Sequence, residues 1–363
     1  VGPAGGEYGV RGFLAAYNAK TGAEVWRFNT IPGPGEPGHE TWPQDNDSWR
    51  YGGGAVWVTG SYDPVINTLY WGIGNPGPDW NGDKRAGDNL YTESVIALDP
   101  DTGKLKWHYQ FTPHDEFDYD STQVPVLADI PLQGTTRKVL LWANRNGFWY
   151  VLDRVTGQFL SAKPFTRVTW ADGFDDKGRP NKVLHPTPGG TAVYPSNQGA
   201  TNWYPPSFSP STGLFYIPTW VGTTSTYRKT PGEAPEYKEG AQFTGTFPTF
   251  PFPGLTAPAL NTRMPVEGTG AVQAFDPKTG QRKWSFDMTD VTDAGILTTA
   301  SDLLFSGGRE GYFYALDART GKLLWKTMLG GQIAMGPMTY AVNGRQYVVV
   351  TAGNAMFAFA LRK

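Results

Sequence analysis

The feature that most constrains this chain is a recurring eleven-residue pattern, Ala-x-Asp/Asn-x-x-Thr-Gly-x-x-x-Trp. It occurs at 16–26 (AYNAKTGAEVW), 97–107 (ALDPDTGKLKW), 274–284 (AFDPKTGQRKW) and 315–325 (ALDARTGKLLW). Weaker copies stand at 151–160 (VLDRVTGQFL) and 209–216 (SPSTGLFY). The last two strong copies are 41 residues apart, the length of one four-stranded propeller blade. Each part has a local reason. An Asp side chain caps a turn, Gly supplies a positive φ, and Trp anchors one blade on the next. The expectation is an all-β β-propeller with five to six blades.

Apolar, strand-like runs flank these turns at 139–142, 148–152, 214–218, 303–305, 312–316, 347–351 and 356–361. Asn343-Gly344 between alternating segments predicts a two-residue type I′ hairpin. No long helical period interrupts them. Forty-six Gly, 30 Pro and an aromatic content of 14% suit short strands joined by tight turns. Segments 31–51 and 227–267 break the rhythm and read as long loops, where function often resides.

A formal charge of −2 gives no basic footprint for nucleic acid or an anionic membrane. No apolar run is long enough to span a bilayer. The chain has no Cys, which removes disulfides, thiolate metal sites, thiol nucleophiles and covalent CxxCH haem attachment. GxSxG, GxxxxGK[ST] and a strand-to-helix GxGxxG are all missing, so serine-hydrolase, P-loop and Rossmann chemistries have no support.

Candidate chemistry lies in four polar loops, at 4–12, 72–78, 113–120 and 143–147. In a propeller, loops from successive blades meet on one face. Glu7, Asn75, Asp118 and Asp120 then offer three carboxylates and an amide oxygen, a hard donor set for calcium or a larger trivalent ion. A solvated acidic loop and a turn-forming Asn75 before Pro76 are the alternatives. Asp118 and Asp120 are two apart, which places both on one side of an extended strand. Trp57, after Gly52-Gly53-Gly54, suits a flat ligand, with a buried core Trp as the plainer option. Arg145 points at an anion or is a surface charge. Of the four His, His114 alone lies near these residues in sequence.

These segments resemble the PQQ-dependent (quinoprotein) methanol/ethanol alcohol dehydrogenases. The similarity rests on GGEYGVRG at 5–12, GGGAVW at 52–57, GIGNPGPDWN at 72–81, TPHDEFDYD at 112–120, NRNG at 144–147 and NWYPPSFSPSTGLFYIP at 202–218. It implies an eight-bladed propeller, of which 1–363 would be a single domain lacking the N-terminal blades. It also implies Glu7, Asn75 and Asp118 as metal ligands and Asp118 as catalytic base. Trp57 would stack under the quinone and Arg145 would bond its reactive oxygens. Gly6, Ala55, Asn202 and Trp203 would contact the cofactor. Asp120 stands where lanthanide-type members carry Asp, so a lanthanide(III) is expected in preference to Ca²⁺. The resemblance further implies a small alcohol substrate, a separate cytochrome c as electron acceptor, a periplasmic location, and room for a homodimer. Asp293 departs from the pattern, since methanol-type members often show Trp there. A non-catalytic propeller scaffold, a truncated inactive quinoprotein and a sugar-oxidising quinoprotein are the competing readings.

Overall fold

A computed structural model describes residues 1–132, 134–249 and 268–361. Within them the chain folds as six successive antiparallel sheets, with two small pairs beside them, Gly173–Phe174 with Pro180–Asn181 and Thr191–Val193 with Ser225–Tyr227. Sheet 1 pairs Phe13–Tyr17 with Glu24–Asn29. Sheet 2 holds Ser61–Asp63, Thr68–Gly72, Ser94–Leu98 and Leu105–Gln110. Sheet 3 holds Val126–Leu132, Thr135–Ala143, Phe148–Asp153 and Phe159–Pro164. Sheet 4 holds Ser207–Ser209, Leu214–Val221, Thr269–Phe275 and Arg282–Met288. Sheet 5 holds Leu297–Thr298, Leu303–Gly307, Tyr312–Asp317 and Leu323–Met328. Sheet 6 holds Met338–Val342, Arg345–Ala352 and Ala355–Phe359. This is the expected all-β propeller architecture.

Period-two alternation explains how the sheets pack. In sheet 3, Leu140, Trp142, Tyr150 and Leu152 join a core with Tyr70, Val95 and Trp107 of sheet 2. Their neighbours Val139, Leu141, Trp149 and Val151 join a second core with Phe215, Ile217 and Phe275 of sheet 4. Each inner strand is thus buried on both faces, which is why VLLWA and FWYVL read as unbroken apolar runs. Sheets 4 and 5 share a core through Tyr216, Val272, Leu304 and Tyr314. Leu14 of sheet 1 packs with Ile96 and Leu98 of sheet 2.

The repeat turns behave as expected. Asp99 Oδ1 accepts the backbone N–H groups of Asp101 and Thr102, each at 3.0 Å. Asp317 does the same for Arg319 and Thr320. The Trp residues of three copies, Trp26, Trp107 and Trp284, then cover the turn glycine of the next sheet. A Cβ on Gly103 would lie 2.6 Å from the Trp26 ring, one on Gly157 2.6 Å from Trp107, and one on Gly321 2.5 Å from Trp284. The Trp26 indole N–H donates to Pro100 O at 2.8 Å, and that of Trp284 to Ala318 O at 3.1 Å. The copy at 151–160 lacks Trp, and the stem of Lys163 covers Gly280 instead.

Two expectations need correction. The copy at 209–216 joins Ser207–Ser209 to Leu214–Val221, the first two strands of sheet 4, not the last two. Its Ser-Thr-Gly turn has the same chemistry without the Trp, so sequence alone did not distinguish the hairpins. The last apolar run is strand only over Ala355–Phe359. Asn343 and Gly344 do form the hairpin, with φ of 49° and 73° and Val342 paired to Arg345. Segment 31–51 carries only short 3-10 turns at His39–Thr41 and Ser48–Tyr51. Of the second long loop, 250–267 lie outside the described residues.

Candidate functional site

Up-and-down strands alternate the end at which connections emerge. The Trp-bearing turns leave at one end. The connections between the second and third strands of a sheet, and those between sheets, leave at the other. Asn75 and Arg145 sit in the first kind, and Trp57, Asp118 and Asn202 in the second. The polar loops therefore share one end of the molecule, as the sequence predicts.

The glycine run at 52–54 laces these loops together. Gly53 N–H donates to Val10 O at 2.8 Å, Gly54 N–H to Asn75 O at 2.8 Å, and Gly74 N–H to Ala55 O at 2.9 Å. Gly53 has a φ of 80°, and a Cβ there would lie 2.4 Å from Asn75 O. No other residue fits this approach without displacing the strand. Gly6 is buried beside Asn75, whose Oδ1 would lie 2.6 Å from a Cβ at that position.

Arg145 is the centre of the arrangement. It is 4% exposed. Its Nη1 donates to Asp120 Oδ2 at 2.7 Å and its Nη2 to Asp118 Oδ2 at 3.0 Å. Its Nε donates to Asn197 O at 3.0 Å. Asp120 Oδ1 accepts the Asn75 backbone N–H at 2.9 Å. Burial raises the Asp120 carboxyl above its ordinary value, while Arg145 and the Asn75 N–H oppose the shift. Trp57 is 38% exposed, so it is no core residue; its ring is available to a ligand. Asn202 Oδ1 accepts the Trp203 backbone N–H at 2.9 Å. The Trp203 ring lies 5.5 Å from Tyr204.

Asp118 and Asp120 do converge, though not by strand alternation. Asp118 has a φ of 63° and lies outside any strand. Asp115 sets this turn: its Oδ2 accepts the backbone N–H of Asp118 at 2.8 Å and of Tyr119 at 3.1 Å. Burial pushes the Asp115 carboxyl up to about 7. Burial also raises Asp118 well above the usual carboxylate range; Arg145 opposes this, while Asp120, Asp115 and Glu7 add to it. Burial works against the charge of Arg145, and Asp118 and Asp120 outweigh it, so the guanidinium is held firmly protonated.

Two further acids belong to this region and were not singled out from sequence. Asp79 is 1% exposed, and its Oδ1 has no hydrogen-bond partner. Burial, then Asp118, Glu7 and Asp120, raise it well above its ordinary value. Glu93 is fully buried, accepts the Ser121 hydroxyl at 3.0 Å, and is likewise raised by burial, Asp115 and Asp120. Asp79 stood inside the quoted GIGNPGPDWN segment, so an unusual acid in an otherwise apolar loop was the available signal. Glu93 carried none.

Glu7 is exposed on the short turn Gly6–Tyr8, and its carbonyl accepts the Phe243 N–H at 2.6 Å. His114 is not part of the Arg145 network; its Nδ1 contacts Gly87 O at 2.8 Å. Among the described residues no three Asp, Glu or His groups are drawn together as an ion cage. Asp118 and Asp120 turn to Arg145 instead. The chemistry nevertheless fits a hard cation. Buried Asp79, Glu93, Asp115 and Asp120, with Asp118, outnumber Arg145 and Arg85, the cations that act on them, and the Asp79 Oδ1 has no partner among the described residues. A surface groove of about 690 Å³ lies along the outer strand of sheet 3 and includes none of these residues.

Residues 4–169 match the model of the glucose/ethanol/alcohol dehydrogenase β-propeller domain. Residues 268–363 match that of the outer membrane protein assembly factor BamB. The chain is 40% identical to a quinohemoprotein alcohol dehydrogenase of Comamonas testosteroni, covering 97% of this chain and 51% of the relative. It superposes on the quinohemoprotein alcohol dehydrogenase ADHIIG of Pseudomonas putida HK5 with a TM-score of 0.86 and 37% identity, over 98% of this chain and 54% of that one. A europium-containing methanol dehydrogenase gives a TM-score of 0.84 and 35% identity, over 96% and 62%. The chain thus spans little more than half the length of the relatives it matches. By sequence and by fold together, it is related over that span to the PQQ-dependent alcohol dehydrogenases.

Proposed function

We propose that this chain, as a single propeller domain, carries the cofactor site of a PQQ-dependent alcohol dehydrogenase. The site would oxidise a small primary alcohol to the aldehyde. The observation that carries this reading is Arg145 gripping Asp118 and Asp120 at once, beside Asn75. Glu7, Asn75, Asp118 and Asp120 would hold the metal, and Gly6, Ala55, Trp57, Asn202 and Trp203 would line the quinone. The bound quinone with its cation supplies the two-electron sink.

The protein's own residues do the rest. Asp118 takes the hydroxyl proton of the alcohol on a carboxylate oxygen. Arg145 places two N–H groups where negative charge develops, and its bond to Asn197 O fixes their direction. Trp57 offers its exposed ring as the stacking surface. Asp120 adds a third acid to the ligand set, which favours a lanthanide(III) over Ca²⁺. Electrons would pass to a separate cytochrome c in the periplasm. No helix of the described residues is long and apolar enough to cross a membrane.

A scaffold reading draws on the BamB match over 268–363. That stretch contains repeat sheets and none of Glu7, Asn75, Asp118, Asp120 or Arg145. The experiment is to titrate metal-free protein with La³⁺ and Ca²⁺ in the presence of PQQ and assay ethanol and an aldose. Lanthanide-dependent ethanol oxidation is expected. Equal activation by Ca²⁺ counts against the lanthanide preference, preference for the aldose against the alcohol, and absence of PQQ binding against the enzyme.

A further inference from the structure

A further buried arginine side chain, Arg309, lies at the same end of the sheets, with no role in the site described. Arg309 occupies the connection between Leu303–Gly307 and Tyr312–Asp317, the same type of connection that carries Asn75 and Arg145. Its side chain is 5% exposed. Nε donates to Asp293 Oδ2 at 2.6 Å, and Gln332 Nε2 donates to the same oxygen at 2.7 Å. The side chain is therefore fixed by the loops before and after sheet 5. Both terminal nitrogens, Nη1 and Nη2, are buried and donate to no acceptor among the described residues.

The surroundings restrict what can fill them. Cζ of Arg309 lies 5.2 Å from the centre of the Trp220 ring, which covers the guanidinium and leaves its plane for hydrogen bonding. Trp220 ties this group to the Arg145 loop. Its backbone N–H donates to Ala200 O at 2.6 Å, and the Ala200 N–H donates to Arg145 O at 2.9 Å. Trp220 Nε1 also donates to Thr292 O at 2.6 Å, beside Asp293. A guanidinium whose Nε is taken still presents a planar pair of donors, the complement of a carboxylate. Asp293 already neutralises its charge, so a monoanion is accommodated where a phosphate dianion meets repulsion from that acid.

We propose that Arg309, oriented by Asp293 and Gln332, is a carboxylate-binding residue of this end of the propeller, taking one acid group of the cofactor or of an acidic substrate. Assignment of the carboxylate to cofactor or substrate rests on the quinone reading above; the anion site does not.

The test uses the full chain, Arg309→Lys and Arg309→Gln, with tryptophan fluorescence as the binding readout. The lysine variant keeps the charge facing Asp293 and loses the fork. The probes are benzene-1,3,5-tricarboxylate, PQQ, and the PQQ trimethyl ester. The tricarboxylate and PQQ should bind both variants about tenfold or more weakly than wild type, with the ester binding all three alike. Unchanged PQQ affinity, with a tenfold rise in KM for 4-hydroxybutanoate relative to butanol, assigns the carboxylate to the substrate. Arg309-dependent binding of the tricarboxylate without any binding of PQQ removes the quinone reading and leaves this site standing. Failure of wild type to bind any carboxylate probe, or equal affinities and equal KM ratios across the three proteins, overturns the proposal.

Discussion

Arg145 carries one charge and faces two carboxylates in a nearly dry setting. Replacing it by Met should destabilise the fold by about 3–5 kcal/mol, because two buried acids lose their partner. Urea unfolding of the metal-free protein measures this, and Arg145→Met together with Asp118→Asn and Asp120→Asn should recover most of the loss. Asp118→Asn should lower kcat by about 10²-fold or more while PQQ still binds, read by turnover and by the quinone absorbance. Asp118, Asp120, Asn75 and Arg145 were legible in sequence because each sits in a short, distinctive loop segment. Asp115 was visible only as one acid among several. Its use as a backbone acceptor depends on the turn that puts Asp118 at positive φ, which no residue type announces. Glu93 hides for a similar reason: its burial is set by neighbouring loops.

At the scale of the element, the Trp-on-glycine contact can be separated from the turn itself. Gly22 and Gly321 have nearly the same φ, 73° and 71°. A Cβ on Gly22 meets nothing within 4 Å, whereas one on Gly321 meets Trp284. Gly22→Ala should cost about 1–2 kcal/mol, the price of the left-handed backbone alone. Gly321→Ala should cost more, and the difference between the two urea midpoints reports the docking of one sheet on the next. The strap at 228–249 is a second element of this kind. Tyr237 stacks on Tyr51 at 4.4 Å, Phe243 meets Tyr51 edge-on at 5.8 Å, and the Phe243 N–H holds Glu7 O. Phe243→Ala should loosen the Glu7 turn and weaken metal binding more than it lowers the melting temperature. The repeat turns were readable because their chemistry is local. In sequence the strap reads only as part of the long loop 227–267, since its contacts reach residues far away along the chain.

For the whole molecule, pH dependence follows from groups of opposite sign. Burial first, then Arg85, depresses the imidazole of His114 to about 4, while Glu116 opposes. The unfolded chain binds this proton at about 6.5, so His114 contributes stability that is complete above that pH and is lost as pH falls toward 4. Asp115, raised to about 7, contributes in the opposite sense across an overlapping range. The wild-type profile therefore mixes the two, and subtraction of the His114→Asn profile should isolate a component that rises with pH between 4 and 6.5. At this scale the sheet class and order were legible, because strands buried on both faces and turns of fixed chemistry repeat along the chain. The shared end of the loops followed from strand alternation. Which buried polar groups remain unpaired there did not, because that is decided by side-chain packing between sheets.

Trp26 on Gly103, Trp107 on Gly157 and Trp284 on Gly321 all point the same way along the chain. Each of these three sheets lends an indole forward, and between sheets 3 and 4 the stem of Lys163 takes the same place on Gly280. Excision of a single unit would leave a bare ring on one side and an unfilled hollow on the other, unless the cut respects the interval of the repeat. Lengthening or shortening by whole multiples of that interval restores the match at the junction, which makes duplication of complete units the gentlest way for such a molecule to change size.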